Sequence, residues 1–178
     1  MAIKLPGSWA ESTPKALYDI IALEGGQKKL PASVPLMGGF LLAYVVAQAL
    51  VHSVHDHGVI GSLGFGIGSA ALVGGLTAGA LVSYKRRELI VQTVTALAAT
   101  GVAIAISSIL LHFLFAVALP PPLPTQRLVG FLLFPIAIWN VFAFAWIYRH
   151  AAIRTIPAFA FAVAIVIIIY FIMATLIH

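Results

Sequence analysis

Along the chain, polar residues gather in short clusters, and the stretches between them are almost wholly apolar. Five apolar stretches stand out, at 35–54, 61–83, 90–118, 128–148 and 156–177. Each reaches the roughly 20 residues that a helix needs to cross a bilayer. The gaps between them hold helix breakers or charges: His55-Asp56-His57-Gly58, Lys85-Arg86-Arg87-Glu88, Pro120-Pro121-Pro122-Leu123-Pro124, and Arg149 to Arg154. The pattern predicts an all-α, polytopic membrane protein. A bundle of five transmembrane helices occupies 35–178, behind a cytoplasmic segment over 1–34.

That leading segment carries its own element. Ser12 or Thr13 suits a helix N-cap, Pro14 suits the first turn, and Gly25-Gly26 suits a stop. Leu17, Ile20, Ile21 and Glu24 recur at helical spacing, so 13–24 reads as an amphipathic interfacial helix at the membrane surface. The segment is too polar to hold the apolar core of a cleavable leader, and none is expected.

Composition narrows the class. The chain has 178 residues, of which 62% are hydrophobic and 8% charged, with a mean hydropathy of +1.08. Soluble domains carry about 25% charged residues, and so few charges cannot cover a water-facing surface. Cys is absent, which removes disulfides, thiolate metal sites and thiol nucleophiles.

Charge sets the expected orientation. Lys4, Lys15, Lys28, Lys29, Lys85, Arg86, Arg87, Arg149 and Arg154 fall on one side of the five spans, and Arg127 alone on the other. The positive-inside rule then places the N-terminus in the cytoplasm and His178 outside, with a bacterial cytoplasmic membrane the expected location. Lys28, Lys29, Lys85, Arg86 and Arg87 are candidate contacts to lipid headgroups. Tyr84, Trp146 and Tyr148 should form an aromatic belt at the inner interface. No basic stripe interleaved with aromatics is present, so a nucleic-acid partner is not expected.

Within the spans, the chemistry is sparse. The second span repeats small residues at Gly64, Gly68, Ala71, Gly75 and Gly79. Gly64–Gly68 and Gly75–Gly79 are GxxxG pairs, which let another helix backbone approach closely, either in this chain or in a partner subunit or second copy. The third span would measure about 45 Å, longer than the hydrocarbon core, so it must tilt or project. The Pro120–Pro124 segment after it should be stiff and extended. Asn140 is expected to hydrogen-bond a neighbouring helix, Pro135 to kink the fourth span, and Pro157 to sit harmlessly near the start of the fifth.

The first span has a polar stripe, Tyr44, Gln48, His52 and His55, on one helical face. Such groups are costly against lipid and should face protein. His52, His55, Asp56, His57 and His112 all fall near the outer end, where three readings compete. They form a hydrogen-bonded set without a ligand; or His52, His55, His57 and His112 bind zinc or copper, as imidazole with carboxylate suits; or His52 and His112 hold a haem between spans. The histidine pairs at matched depth that a two-haem subunit needs are missing.

Several activities lack their residues. No Asp, Glu, Lys or Arg occupies the centre of any span, where proton-coupled transporters and voltage sensors keep them. HExxH, GxSxG and P-loop signatures are missing. Only five acidic residues occur in the whole chain, which leaves little for general acid–base catalysis. No catalytic residue is assigned.

The second half carries a family resemblance. It begins at Lys85-Arg86-Arg87-Glu88-Leu89-Ile90-Val91-Gln92-Thr93, a basic turn opening a helix. It continues through Ile138-Trp139-Asn140-Val141 to Tyr148-Arg149-His150-Ala151 and ends in an apolar helix. This pattern resembles the bacterial members of the Yip1-like membrane family, although the Asp-Leu-Tyr-Gly-Pro signature of eukaryotic relatives is absent. The resemblance implies a non-enzymatic helical protein that associates with other membrane proteins. The favoured expectation is thus a scaffold, assembly factor or accessory subunit of a membrane complex. A metal- or haem-binding redox subunit and a small oligomeric channel or carrier are the alternatives.

Overall fold

The computed structural model describes residues 7–53, 58–118, 125–151 and 153–176. Six α-helices follow in order: α1 (Gly7–Ile21), α2 (Val34–Ser53), α3 (Val59–Ser83), α4 (Ile90–Ala118), α5 (Thr125–His150) and α6 (Thr155–Leu176). Short 3-10 turns at Gln27–Lys29 and Arg87–Leu89 precede α2 and α4. No strand occurs among the described residues. The described residues of all five expected apolar stretches are helical, and the helix ends lie within a few residues of the expected ones. Among the described residues, three helical segments, Val34–Ser53, Val59–Ser83 and Arg87–Phe115, are long and apolar enough to cross a membrane. The apolar helices point to a membrane-embedded protein.

The helix over the leading segment differs from the expectation. It is already helical at Gly7, the first described residue, with no start at a Ser12 or Thr13 cap, so Pro14 lies in its interior. There the ring nitrogen has no hydrogen to donate back to Ala10, and the helix continues without that bond. Its end is set by Leu23 and not by the two glycines. Leu23 takes φ 61°, while Leu23 N donates to Ile20 O and Glu24 N to Asp19 O. That is a Schellman closure with a leucine in the left-handed position. The same device ends α3: Lys85 takes φ 58°, Lys85 N donates to Val82 O, and Arg86 N to Leu81 O.

The core centres on α4, which packs against α1, α2, α3 and α5. Every residue from Thr93 to Gly101 is buried. The run Thr-Val-Thr-Ala-Leu-Ala-Ala-Thr-Gly explains this: small side chains on all sides let several helix backbones approach at once. Two glycines mark the tightest approaches. A Cβ on Gly101 would run into the Tyr44 ring, and one on Gly66 would run into the Val45 carbonyl. α6 closes the bundle against α5 and α3. Pro157 falls in the first turn of α6, where it costs no hydrogen bond.

Candidate functional site

Two places in the bundle hold residues singled out by the sequence, and a third emerges from the structure. The first is the C-terminal end of α2. His52, on the last turn of α2, stacks on Phe65 of α3 with ring centroids 4.7 Å apart, and its Nδ1 lies 3.4 Å from Ser62 Oγ. Tyr44, two turns earlier on the same face, is buried against Gly101. Tyr44 and His52 of the α2 stripe thus face protein, as polar groups in lipid require. His112 lies half-buried on α4. His55, Asp56 and His57 lie outside the described residues, as does the Pro120–Pro124 segment. Among the described residues, no group of three or more His, Cys, Asp or Glu side chains is placed to hold a metal ion.

The second place is the surface of α3. Its buried stripe is Ser62, Gly66, Ser69, Val73, Thr77 and Leu81. Its exposed stripe is Ile60, Gly64, Ile67, Ala71, Gly75, Gly79 and Val82. A Cβ placed on Gly64, Gly75 or Gly79 would meet no atom within 4 Å. Within its own chain, α3 therefore packs through its hydroxyl-bearing face and presents these glycines outward. Gly68 is half-buried between the two stripes. Of these inward hydroxyls, Thr77 has a partner across the bundle, whereas Ser69 Oγ is buried without one. Thr77 Oγ1 and the Tyr148 hydroxyl hydrogen-bond at 2.6 Å in the core, and the Tyr148 ring meets Phe161 of α6 edge-on. Tyr148 thus departs from the interfacial belt expected of it: it is fully buried, because its hydroxyl finds a partner inside.

The third place went unnoticed in the sequence. The segment from α1 to Leu30 lies as a strap across the ends of α4 and α5. Ala16, Ile20 and Leu30 of the strap are buried in the core, with Leu17 packed beside them. Polar groups then fasten it. Trp146 Nε1 donates to Gly25 O at 3.1 Å, Gln92 Nε2 donates to Leu30 O at 2.6 Å, and Gln27 Nε2 lies 3.5 Å from Thr93 Oγ1. His150 Nδ1 sits 3.0 Å from Trp146 O, and the two rings lie 4.6 Å apart. A Cβ on Gly26 would stand 2.7 Å from the His150 ring. This close approach is what the glycine permits.

Charges surround the strap. Lys29 Nζ pairs with Asp19 Oδ2 at 2.7 Å, and the Arg149 guanidinium lies 5.6 Å from the Trp146 ring centroid. Lys15, Lys28, Lys85, Arg86, Arg87, Arg149 and Arg154 are exposed. Among the described residues, the other ion pair is Arg86 with Glu88 at 3.8 Å. The signal that could have revealed the strap was the pair Gln27 and Gln92: neutral amides flanking apolar runs, suited to burial with partners. Asn140 of α5 is half-buried, and its Oδ1 is shielded without a donor.

Comparison with family models, curated proteins and solved structures finds no match to this chain.

Proposed function

We propose that this chain is a non-catalytic integral membrane protein that works by association, as a scaffold, assembly factor or accessory subunit of a larger membrane complex. The observation that supports this most is the outward stripe of α3, where Gly64, Gly75 and Gly79 have open space above them. A helix that leaves its smoothest face unused within its own chain offers that face to another helix, because membrane helices associate chiefly through close backbone packing. In this reading α5 and α6 also span, giving five crossings. The N-terminus is cytoplasmic, the C-terminus lies outside, and the membrane is a bacterial inner membrane. The exposed cations Lys28, Lys85, Arg86 and Arg87 then lie at the cytoplasmic headgroups. The Yip1-like resemblance implies the same kind of role.

Replacing Gly75 and Gly79 together by Ile tests the proposal. The expected result is loss of the partner subunits, or of the second copy, that co-purify with the wild type in mild detergent. Unchanged association would remove the α3 face as the interface. His52 is engaged by Phe65 and Ser62, which supports the ligand-free reading of the outer histidines.

A further inference from the structure

Among the described residues, three polar side chains in the middle of the bundle carry atoms without a hydrogen-bond partner. Ser69 of α3 and Thr100 of α4 are completely buried with unbonded hydroxyls, and Asn140 of α5 is half-buried with its Oδ1 shielded. A helical Ser or Thr has the carbonyl one turn back within reach. Ser83 and Thr95 use it, through Gly79 O and Val91 O, and Thr77 has Tyr148 instead. Ser69 and Thr100 do neither. An unmet buried polar group is costly, and three together ask for a shared partner.

Register puts the three at one depth. Thr77 joins Tyr148 near the ends of α3 and α5, and Ser69 and Asn140 each precede that pair by eight residues. Eight residues of helix span about 12 Å. The strap places α4 in the same frame. Gln27 reaches Thr93 near the start of α4, while Gly25 and Gly26 meet Trp146 and His150 near the end of α5. α4 therefore runs against α3 and α5, and Thr100, seven residues beyond Thr93, lies about 10 Å along the bundle from the strap. α2 gives the same answer from the other side. Gly66 lies on Val45 and Gly101 on Tyr44, and Ser69 and Thr100 fall within three residues of those two glycines. Each side chain also belongs to an inward face. Ser69 shares one with Gly66 and Val73, Thr100 with Thr93 and Ala96, and Asn140 with Phe144 and Ile147, all of them buried.

We propose that Ser69, Thr100 and Asn140 line one internal water site, in which bound water bridges α3, α4 and α5. Water fits the groups on offer. Asn140 Oδ1 only accepts, whereas each hydroxyl both donates and accepts. A neutral ligand with two donors and two acceptors satisfies all three, and buried waters make about three such bonds. Asp, Glu, Lys and Arg are absent from α3, α4 and 128–148, so an ion here would meet no opposite charge. The site ties three helices in register one layer away from the Thr77–Tyr148 bond. Asn140 thus reaches its neighbours through water instead of directly. The inference rests on the packing of α3, α4 and α5, and not on the outward glycines of α3.

X-ray radiolytic footprinting of the full chain in detergent micelles tests the site. Radiolysis of a bound water produces hydroxyl radical in place, which oxidises adjacent side chains that bulk solvent does not reach. Leu97 and Phe144, 0% and 2% exposed, lie one turn from Thr100 and Asn140. Both should be oxidised in the wild type, and the oxidation should be lost in Thr100→Val/Asn140→Leu. Leu81, equally buried near the end of α3, should stay unmodified in both. Unmodified Leu97 and Phe144 in the wild type would overturn the site and leave direct bonds among the three side chains. Oxidation that persists in the variant, or that extends to Leu81, would mean bulk access and would overturn it too. The wild-type result stands even if the double variant fails to fold. Thr100→Val alone should lower the folded-to-unfolded ratio about tenfold, because it strands the groups that share its water; an unchanged ratio would remove Thr100 from the site. A thermal midpoint raised by sodium chloride over choline chloride would overturn water in favour of a cation.

Discussion

Gly64 and Gly66 lie two positions apart on one helix and face opposite ways, which makes them a matched pair for testing the packing of α3. Replacing either by Ala removes a glycine from a helix interior and gains about 1 kcal/mol of backbone propensity. The surroundings then decide the sign. At Gly64 the new methyl meets nothing within 4 Å, so the gain stands and the thermal midpoint should rise by about 2–4 °C. At Gly66 the methyl overlaps the Val45 carbonyl, with the Val45 carbonyl carbon at 3.1 Å. A backbone carbonyl cannot rotate away as a side chain can. α2 must therefore move off α3, loosening the contact that holds His52 on Phe65. Overpacking of this kind costs about 1–3 kcal/mol. Because backbone meets backbone here, the upper end applies, and the net loss is about 2 kcal/mol, or about 4–8 °C. The assay is thermal unfolding of each single variant in one detergent, followed by circular dichroism. If the two variants shift the midpoint equally, or if Gly64→Ala is the more damaging, the assigned faces of α3 are wrong.

Other substitutions probe separate parts of the bundle. Tyr148→Phe should cost about 1–2 kcal/mol by stranding the Thr77 hydroxyl, and Thr77→Val in the same chain should recover part of it in a double-mutant cycle. Gly26→Ala should loosen the strap, because its methyl meets the His150 ring at 2.7 Å. Limited proteolysis after Lys28 or Lys29 should then speed up, and His150→Ala should reverse the effect. Lys29→Ala should change the midpoint by less than about 1 kcal/mol equivalent, since the Lys29 side chain is 54% exposed and exposed pairs contribute little. Incubation with a strong chelator should leave the midpoint where it was; a drop would favour the metal reading of His52, His55, His57 and His112.

The sequence made the helices legible because long apolar runs between charged or Pro-rich gaps favour helix. Apolar runs and their charged or Pro-rich gaps located α2 to α6 to within a few residues. The packing face of α3 was harder to see. Glycines mark where a backbone can come close, but they do not say whose backbone. The inward face is announced by Ser62, Ser69 and Thr77, whose hydroxyls favour protein over lipid, together with the single Gly66 among them. Tyr148 misled for a related reason. Aromatic residues near a basic turn suggest an interface, yet a hydroxyl partner on another helix overrides that tendency, and Thr77 is 71 residues away. The strap was hidden for the same cause. Gln27 pairs with Thr93 and Trp146 with Gly25, at separations of 66 and 121 residues. No local pattern reports such pairings. Even the end of α1 was set by a leucine in a left-handed turn beside two available glycines.

The most direct test of the central claim is native mass spectrometry of the protein released gently from its own membrane, wild type beside Gly75→Ile/Gly79→Ile. The account predicts that the 18.8 kDa chain flies with additional subunits or a second copy in a fixed ratio, and that the double variant flies alone. A wild-type chain that is monomeric throughout, or a variant that keeps every partner, would contradict it.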